Sequence, residues 1–176
     1  MRKSLIWLIV ASALLLTIGV GVTVALLVAS SNPVVNTFTV GGVDITLTET
    51  TTEYKMAPGV TVPKDPTVTV LANSEKSWLF VKVEKENDFD TFCTYEIQDG
   101  WTALEGQEGV FYQMVEQSSS NQVFPVLKNN SVLIKDTLTK EQLNAIAVNP
   151  TLTVTAYAAQ SDGLATVDAA WKALNP

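Results

Sequence analysis

The sequence predicts an all-β protein, an antiparallel β-sandwich or jelly roll with one or two short helices, preceded by an apolar N-terminal helix. Three observations support this fold class. Short runs of β-branched and aromatic residues recur after residue 33, with turn residues between them. The segment TLTVTAYAA at 151–159 alternates between apolar and polar positions, as a strand with one buried face does. A long uncharged apolar run occupies residues 5–29.

Nine segments of strand-like composition follow the apolar run. Their short length and their number favour a sandwich or jelly roll over a parallel sheet. The predicted strands span residues 34–40, 43–48, 67–71, 78–85, 93–97, 110–115, 123–127, 132–135 and 151–159. Turns are expected at Gly41-Gly42, Pro58-Gly59, Asp99-Gly100 and Asp162-Gly163, because Gly and Pro supply the φ values that tight turns require.

Two short helices are predicted among the strands. The first begins at Thr139, where Gln142 three residues later completes a capping box, and it presents Leu143 and Ile146 to the core. The second covers residues 167–174 and carries Trp171. No internal repeat or low-complexity linker divides the chain, so a single domain is expected after the apolar run.

The apolar run at residues 5–29 follows Arg2 and Lys3, as an export signal or a membrane anchor does. As a helix it would be roughly 37 Å long, which exceeds the ~30 Å hydrocarbon core of a bilayer. Small residues that permit cleavage occur at Thr23, Ala25, Val28 and Ser30. Residues 1–30 are therefore predicted as a signal peptide or transmembrane segment, and residues 31–176 as one extracellular β-sandwich domain.

The net charge of the chain limits the classes of molecule that it is expected to bind. Without Arg2 and Lys3, the 11 basic residues fall to 9 against 18 acidic ones, which leaves a net charge of −9. Nucleic acid is not an expected partner, because phosphate binding needs clustered Lys or Arg.

The single cysteine, Cys93, cannot form an internal disulfide, and its strand-like flanks DTFCTYEI predict a small buried apolar residue.

The sequence offers few residues for catalysis or metal binding. It contains no histidine, which excludes Ser-His-Asp and Cys-His systems and the HExxH zinc site. The densest anionic feature is the series Glu84, Glu86, Asp88 and Asp90, which would share one face of a continuing strand. A Ca²⁺ ion would relieve the repulsion between these carboxylates. The spacing lacks the Gly and terminal Glu of an EF-hand loop, so a solvated strand end is the alternative.

Three blocks of sequence occur together. They are NTFTVGGVDITLTE at 36–49, YKMAPGVTVPKDPTVTVLANSEKSWLFVKVE at 54–84, and LTVTAYAAQSDG followed by AAWKAL at 152–174. This combination resembles the TasA and camelysin family of exported Gram-positive proteins, which usually carry a SipW-type signal peptide. The resemblance implies a jelly-roll or Ig-like β-sandwich that assembles into surface or biofilm-matrix fibres.

The resemblance also implies that residues 31–40 act as a donor strand for the next subunit. The predicted assembly strand comprises Val34, Val35, Asn36, Phe38 and Val40, with Phe38 and Val40 pointing inward. The segment is apolar at alternate positions and has no lysine, so strand addition would satisfy its backbone groups and bury its side chains. The alternative is a hairpin in which this segment pairs with residues 43–48 of its own chain through the Gly41-Gly42 turn.

The leading functional prediction is an exported structural subunit of a fibre at the surface or in the biofilm matrix of a Gram-positive bacterium. Its expected partners are copies of itself or related subunits, a signal peptidase of the SipW type, and the membrane before processing. The alternative is a monomeric, membrane-anchored surface module that binds a ligand. The family resemblance also implies a camelysin-like metalloendopeptidase, but without histidine a zinc ion would depend on carboxylates and one thiol. No cofactor other than Ca²⁺ is expected.

Overall fold

The computed structural model describes residues 42–50 and 55–175. These residues form an all-β sandwich with three antiparallel sheets and a few short helices, which confirms the predicted fold class. The predicted signal or transmembrane segment at residues 1–30 lies outside the described residues. The predicted assembly strand, with Val34, Val35, Asn36, Phe38 and Val40, also lies outside them.

The regular elements follow one another in a simple order. The strands are β1 (Ile45–Thr48), β2 (Thr61–Pro63), β3 (Thr67–Val70), β4 (Ser77–Glu86), β5 (Cys93–Thr94), β6 (Thr102–Ala103), β7 (Val110–Val115), β8 (Gln122–Pro125), β9 (Ser131–Ile134) and β10 (Thr151–Gln160). The helices are α1 (Phe89–Phe92), α2 (Lys140–Asn144) and α3 (Val167–Leu174). Among these elements, no helix is long and apolar enough to cross a membrane.

The ten strands form one larger sheet and two smaller ones. The four-stranded sheet has the order β10-β4-β7-β6. The β3 sheet has the order β1-β3-β8, and the β9 sheet has the order β2-β9-β5. Strands β4 and β10 pair along their whole length, from Ser77 opposite Gln160 to Glu86 opposite Thr151. This ten-residue pairing is the longest between the described strands.

The main core lies between the four-stranded sheet and the two smaller sheets. Alternate residues of β4 point into it, because successive side chains of a strand face opposite sides. The buried residues that these sheets contribute include Val68 and Val70 of β3, Leu79, Val81 and Val83 of β4, and Val132 and Ile134 of β9. All three sheets therefore share one apolar interior.

A second, smaller core lies on the other face of the four-stranded sheet. Phe80, which alternates with the core residues of β4, is fully buried there beneath α3. The ring of Trp171 lies 5.2 Å from that of Phe80 and 5.5 Å from that of Tyr157, measured between centroids. Helix α3 therefore covers the outer face of the sheet, as the apolar residues of 167–174 require.

Most predicted elements within the described part of the chain are confirmed. Each of the eight predicted strands from 43–48 onward corresponds to an observed strand. Helix α2 has the predicted capping box between Thr139 and Gln142, and α3 has the predicted bounds. The expected turn glycines Gly59, Gly100 and Gly163 have positive φ.

Four elements were not predicted: strands β2 and β6, helix α1, and a 3₁₀-helix at Lys128–Asn130. One predicted strand is shorter than expected. Strands β2 and β6 are short, and Pro63 ends β2, which obscures the strand pattern. Helix α1 replaces the first three residues of the DTFCTYEI segment, since Asp90 to Phe92 are helical. The strand predicted at 93–97 is reduced to Cys93–Thr94, with an isolated bridge between Ile97 and Leu127. Leu143 and Ile146 are half-buried and do not belong to the main core.

Candidate functional site

A groove of about 870 Å³ lies between the four-stranded sheet and the β9 sheet. Its floor consists of apolar side chains. They are Phe89 of α1, Cys93 of β5, and Val132 and Ile134 of β9, all buried residues of the main core. The groove therefore reaches the interior of the sandwich, where an added apolar side chain loses contact with water.

Two strands from opposite layers form the walls of the groove. The first half of β10 forms one wall, with Leu152 and Val154 packed against the main core. Val62 of β2 lies on the other side, followed by Lys64. One end of the lining comes from α2 and the segment that follows it, with Leu143, Asn144, Ile146, Asn149 and Pro150. The groove thus follows the seam between the two layers of the sandwich.

At this wall of the groove, polar contacts connect the segment after β1 to the residues that follow β2. Nζ of Lys64 lies 2.7 Å from Oε1 of Glu49, and both residues line the groove. Thr50 donates its backbone N–H and its hydroxyl to the carboxylate of Asp65, at 2.9 and 2.7 Å. These two hydrogen bonds lower the pKa of Asp65 because they favour the charged carboxylate.

Strand β10 differs from the other edge strands that the structure describes. A sheet edge exposes unpaired N–H and C=O groups, and proteins usually keep such edges short or interrupt them with Pro or charge. Among the described strands, β1, β2, β5, β6 and β8 each end a sheet and have two to four residues; β2 and β8 contain Pro. Strand β10 has ten residues, no charged side chain, and only β4 as a described neighbour.

The four predicted calcium ligands do not converge. Strand β4 ends at Glu86, and Asp88 has a positive φ of 56°, so the period-two arrangement stops before Asp88. Glu84 pairs with Lys82, Asp90 pairs with Lys85, and Glu86 accepts a hydrogen bond from Thr151. Within residues 42–50 and 55–175, no group of three or more acidic or cysteine side chains is placed to hold a metal ion. The Ca²⁺ site stays a prediction without geometric support.

The interpretation of Cys93 as a small buried apolar residue agrees with the structure. Its side chain is a free thiol, and the residue is 5% exposed. Burial raises the pKa of the thiol, because the interior disfavours the thiolate. A raised pKa lowers the thiolate fraction, which is the reactive form.

The sequence did not identify the groove. Its lining residues come from β2, β5, β9, β10, α1, α2 and three connecting segments, so no local motif marks them. The sequence did show one part of the groove. The alternation at Leu152 and Val154 identified the face of β10 that points toward the core and forms one wall. Comparison of the chain with protein-family models, curated proteins and solved structures finds no significant match.

Proposed function

We propose that this chain is an exported structural subunit of a cell-surface or biofilm-matrix fibre, in which residues 31–40 of one copy add as a strand to the next copy. The observation that carries the proposal is the apolar-floored groove beside the long uncharged edge of β10. Strand addition uses these two features, because main-chain hydrogen bonds give affinity and pockets receive alternate side chains.

The chemistry of residues 31–40 suits the groove. The segment carries no charge, so its entry buries no unpaired ion, and Phe38 and Val40 lie on one face of an extended strand. Ten extended residues span about 33 Å, which matches the length of a ten-residue strand such as β10. Val62 and Val154, which line the groove and are only partly buried, offer apolar partners for the inward side chains.

The proposed contact is head-to-tail, since the donor segment and the groove are different surfaces of the chain. A contact of this kind forms an open filament when its rotation does not close a ring. Residues 1–30 supply export, and their removal frees the donor segment. The resemblance to the TasA and camelysin family, together with a surface or biofilm-matrix location, belongs to the same proposal.

The test compares matched point variants of the full chain, expressed in a Gram-positive host. Phe38→Asp places a charge on the inward face of the donor segment, whereas Thr37→Asp places the same charge on the outward face. Electron microscopy and sedimentation of the secreted protein should show filaments for the unaltered chain and for Thr37→Asp, and their loss for Phe38→Asp. Mass spectrometry of the N-terminus should show a start near Ser31.

Two results would contradict the proposal. One is an unaltered, secreted chain that stays monomeric at its highest soluble concentration. The other is filament formation by Phe38→Asp at the level of Thr37→Asp. A monomer that retains residues 5–29 would instead support the membrane-anchored module.

A further inference from the structure

The direction of the backbone groups in β10 follows from one hydrogen bond in the neighbouring strand. The N–H of Val83 in β4 donates to the carbonyl of Gly109, 2.8 Å away, at the start of β7. In an antiparallel sheet, consecutive residues of a strand direct their N–H and C=O groups to opposite sides. Lys82 and Glu84 therefore direct theirs toward β10.

The register between β4 and β10 shows which residues of β10 direct their backbone N–H and C=O groups away from β4. Thr153 lies opposite Glu84 and exchanges hydrogen bonds with β4, while Val154 lies opposite Val83, whose groups point away. Leu152 and Val154 consequently direct their N–H and C=O groups to the side of β10 that lacks a described neighbour. Their side chains meanwhile pack against the main core and line the groove.

The facing layer is also incomplete beside β10. Leu47 of β1 lies directly opposite Val68 of β3, so the two side chains share the inward face of the β3 sheet. Val68 is fully buried, but Leu47 is 37% exposed. Strands β1 and β10 approach each other without pairing. An inward apolar side chain that remains exposed indicates space for another strand along this seam.

We infer that the edge at Leu152 and Val154 is the acceptor, where residues 31–40 of a second copy hydrogen-bond to β10 and cover the groove. This inference rests on the proposed function and adds the location of the contact. The other edge of the same sheet, β6, has two residues and offers too few groups for strand addition. Neither β10 nor residues 31–40 carry charge, so two copies with a net negative charge meet there without local repulsion.

The first experiment removes one edge N–H from the full chain. Val154→Pro and Val154→Ala both shorten the side chain, but only proline deletes the N–H and places its ring at the pairing edge. The filament yield of Val154→Pro should be at least about tenfold below that of Val154→Ala. Equal yields from two secreted, folded variants would overturn the inference.

The second experiment tests the acceptor edge of β10 by cross-linking, so its result does not depend on whether Val154→Pro folds. Cys93 stays unaltered in all chains because it is only 5% exposed, and a chain without an added cysteine is the background control. One preparation carries Thr37→Cys or Thr39→Cys on the outward face of the donor segment, and the other carries Thr153→Cys on β10. Side chains on the same face of adjacent strands lie close enough for a disulfide. After mixing and oxidation, at least one donor variant should form a disulfide-linked dimer with Thr153→Cys.

The matched control replaces Thr153→Cys by Thr102→Cys, an exposed threonine on the opposite edge of the same sheet. Cross-linking at position 153 and not at 102 supports the inference. Filaments without cross-linking at 153, or with equal cross-linking at both positions, overturn the acceptor edge and leave the fibre proposal standing. Absence of filaments from the unaltered chain overturns both.

Discussion

Nζ of Lys64 lies 2.7 Å from Oε1 of Glu49, and the two side chains are 10% and 20% exposed. The pair joins the segment after β1 to the end of β2 at one wall of the groove. Removal of one partner of a fully buried ion pair costs about 3–5 kcal/mol. The exposure that remains here reduces that cost.

Glu49→Gln should therefore lower the free energy of unfolding by about 2 kcal/mol, measured by urea denaturation. The control is Glu96→Gln, which breaks the pair between Lys128 and Glu96 at the surface. That pair has side chains 42% and 73% exposed, so its loss should cost much less than the loss of the Lys64–Glu49 pair. Equal costs for the two substitutions would show that burial does not strengthen the Lys64–Glu49 contact.

Gly109 lies against the backbone of β4. Its φ is 72°, and a Cβ atom there would lie 2.4 Å from the carbonyl oxygen of Val83. Gly106 has a similar φ of 74°, but no heavy atom lies within 4 Å of its Cβ position. Gly106→Ala should cost about 1 kcal/mol from backbone strain alone, and Gly109→Ala should cost at least about 2 kcal/mol more.

Thermal unfolding of these two variants measures the difference. Because Gly109 also accepts the hydrogen bond from Val83, displacement of its backbone would weaken the attachment of β7 to β4. Equal melting temperatures for Gly106→Ala and Gly109→Ala would contradict the close approach of these backbones.

The contact between Thr50 and Asp65 predicts a dependence of stability on acid. The hydrogen bonds from the Thr50 N–H and hydroxyl hold the pKa of Asp65 below its ordinary value near 3.9. Since the folded pKa is the lower one, the stabilisation is present above the ordinary value and is lost as the pH falls through the folded pKa. Asp65→Asn should therefore lose less stability than the unaltered protein between about pH 6 and pH 3.

Urea denaturation at several pH values checks this prediction. Thr50→Val removes the hydroxyl donor but keeps the backbone N–H, so its acid dependence should be intermediate. An Asp65→Asn variant that loses as much stability on acidification as the unaltered protein would exclude Asp65 as a source of the effect.

The sequence predicted individual strands and helices better than the contacts between segments that are distant in the chain. The alternation of Leu152 and Val154 was visible, because one face of β10 packs on the core and the period of a strand is two. The capping box at Thr139 was equally visible, because its contacts join residues three apart. Local patterns such as these depend on near neighbours in the chain.

The groove and the acidic series show why other features were missed. Val62, Ile134 and Leu152 meet across the seam although they are far apart in sequence, so no short motif records their contact. The acidic residues looked like one cluster because a continuing strand was assumed, but the positive φ values of Asn87 and Asp88 end it. Tertiary pairing and local backbone reversals decide such sites.

The contacts of Trp171 predict that α3 contributes to stability through the second core. Its ring packs edge-on to Tyr157 and at a tilt to Phe80, which is fully buried. Trp171→Ala removes both ring contacts and leaves Phe80 without its cover, so the free energy of unfolding should fall by about 3 kcal/mol.

Lys172→Ala, on the same helix and solvent-exposed, is the control and should change stability by less than about 0.5 kcal/mol. Both values are measured by urea denaturation. Because the groove belongs to the main core, on the other face of the four-stranded sheet, Trp171→Ala should also leave filament formation unchanged at temperatures where the variant is folded. Filaments lost from a folded Trp171→Ala protein would mean that the α3 face, and not the groove, carries the contact between subunits.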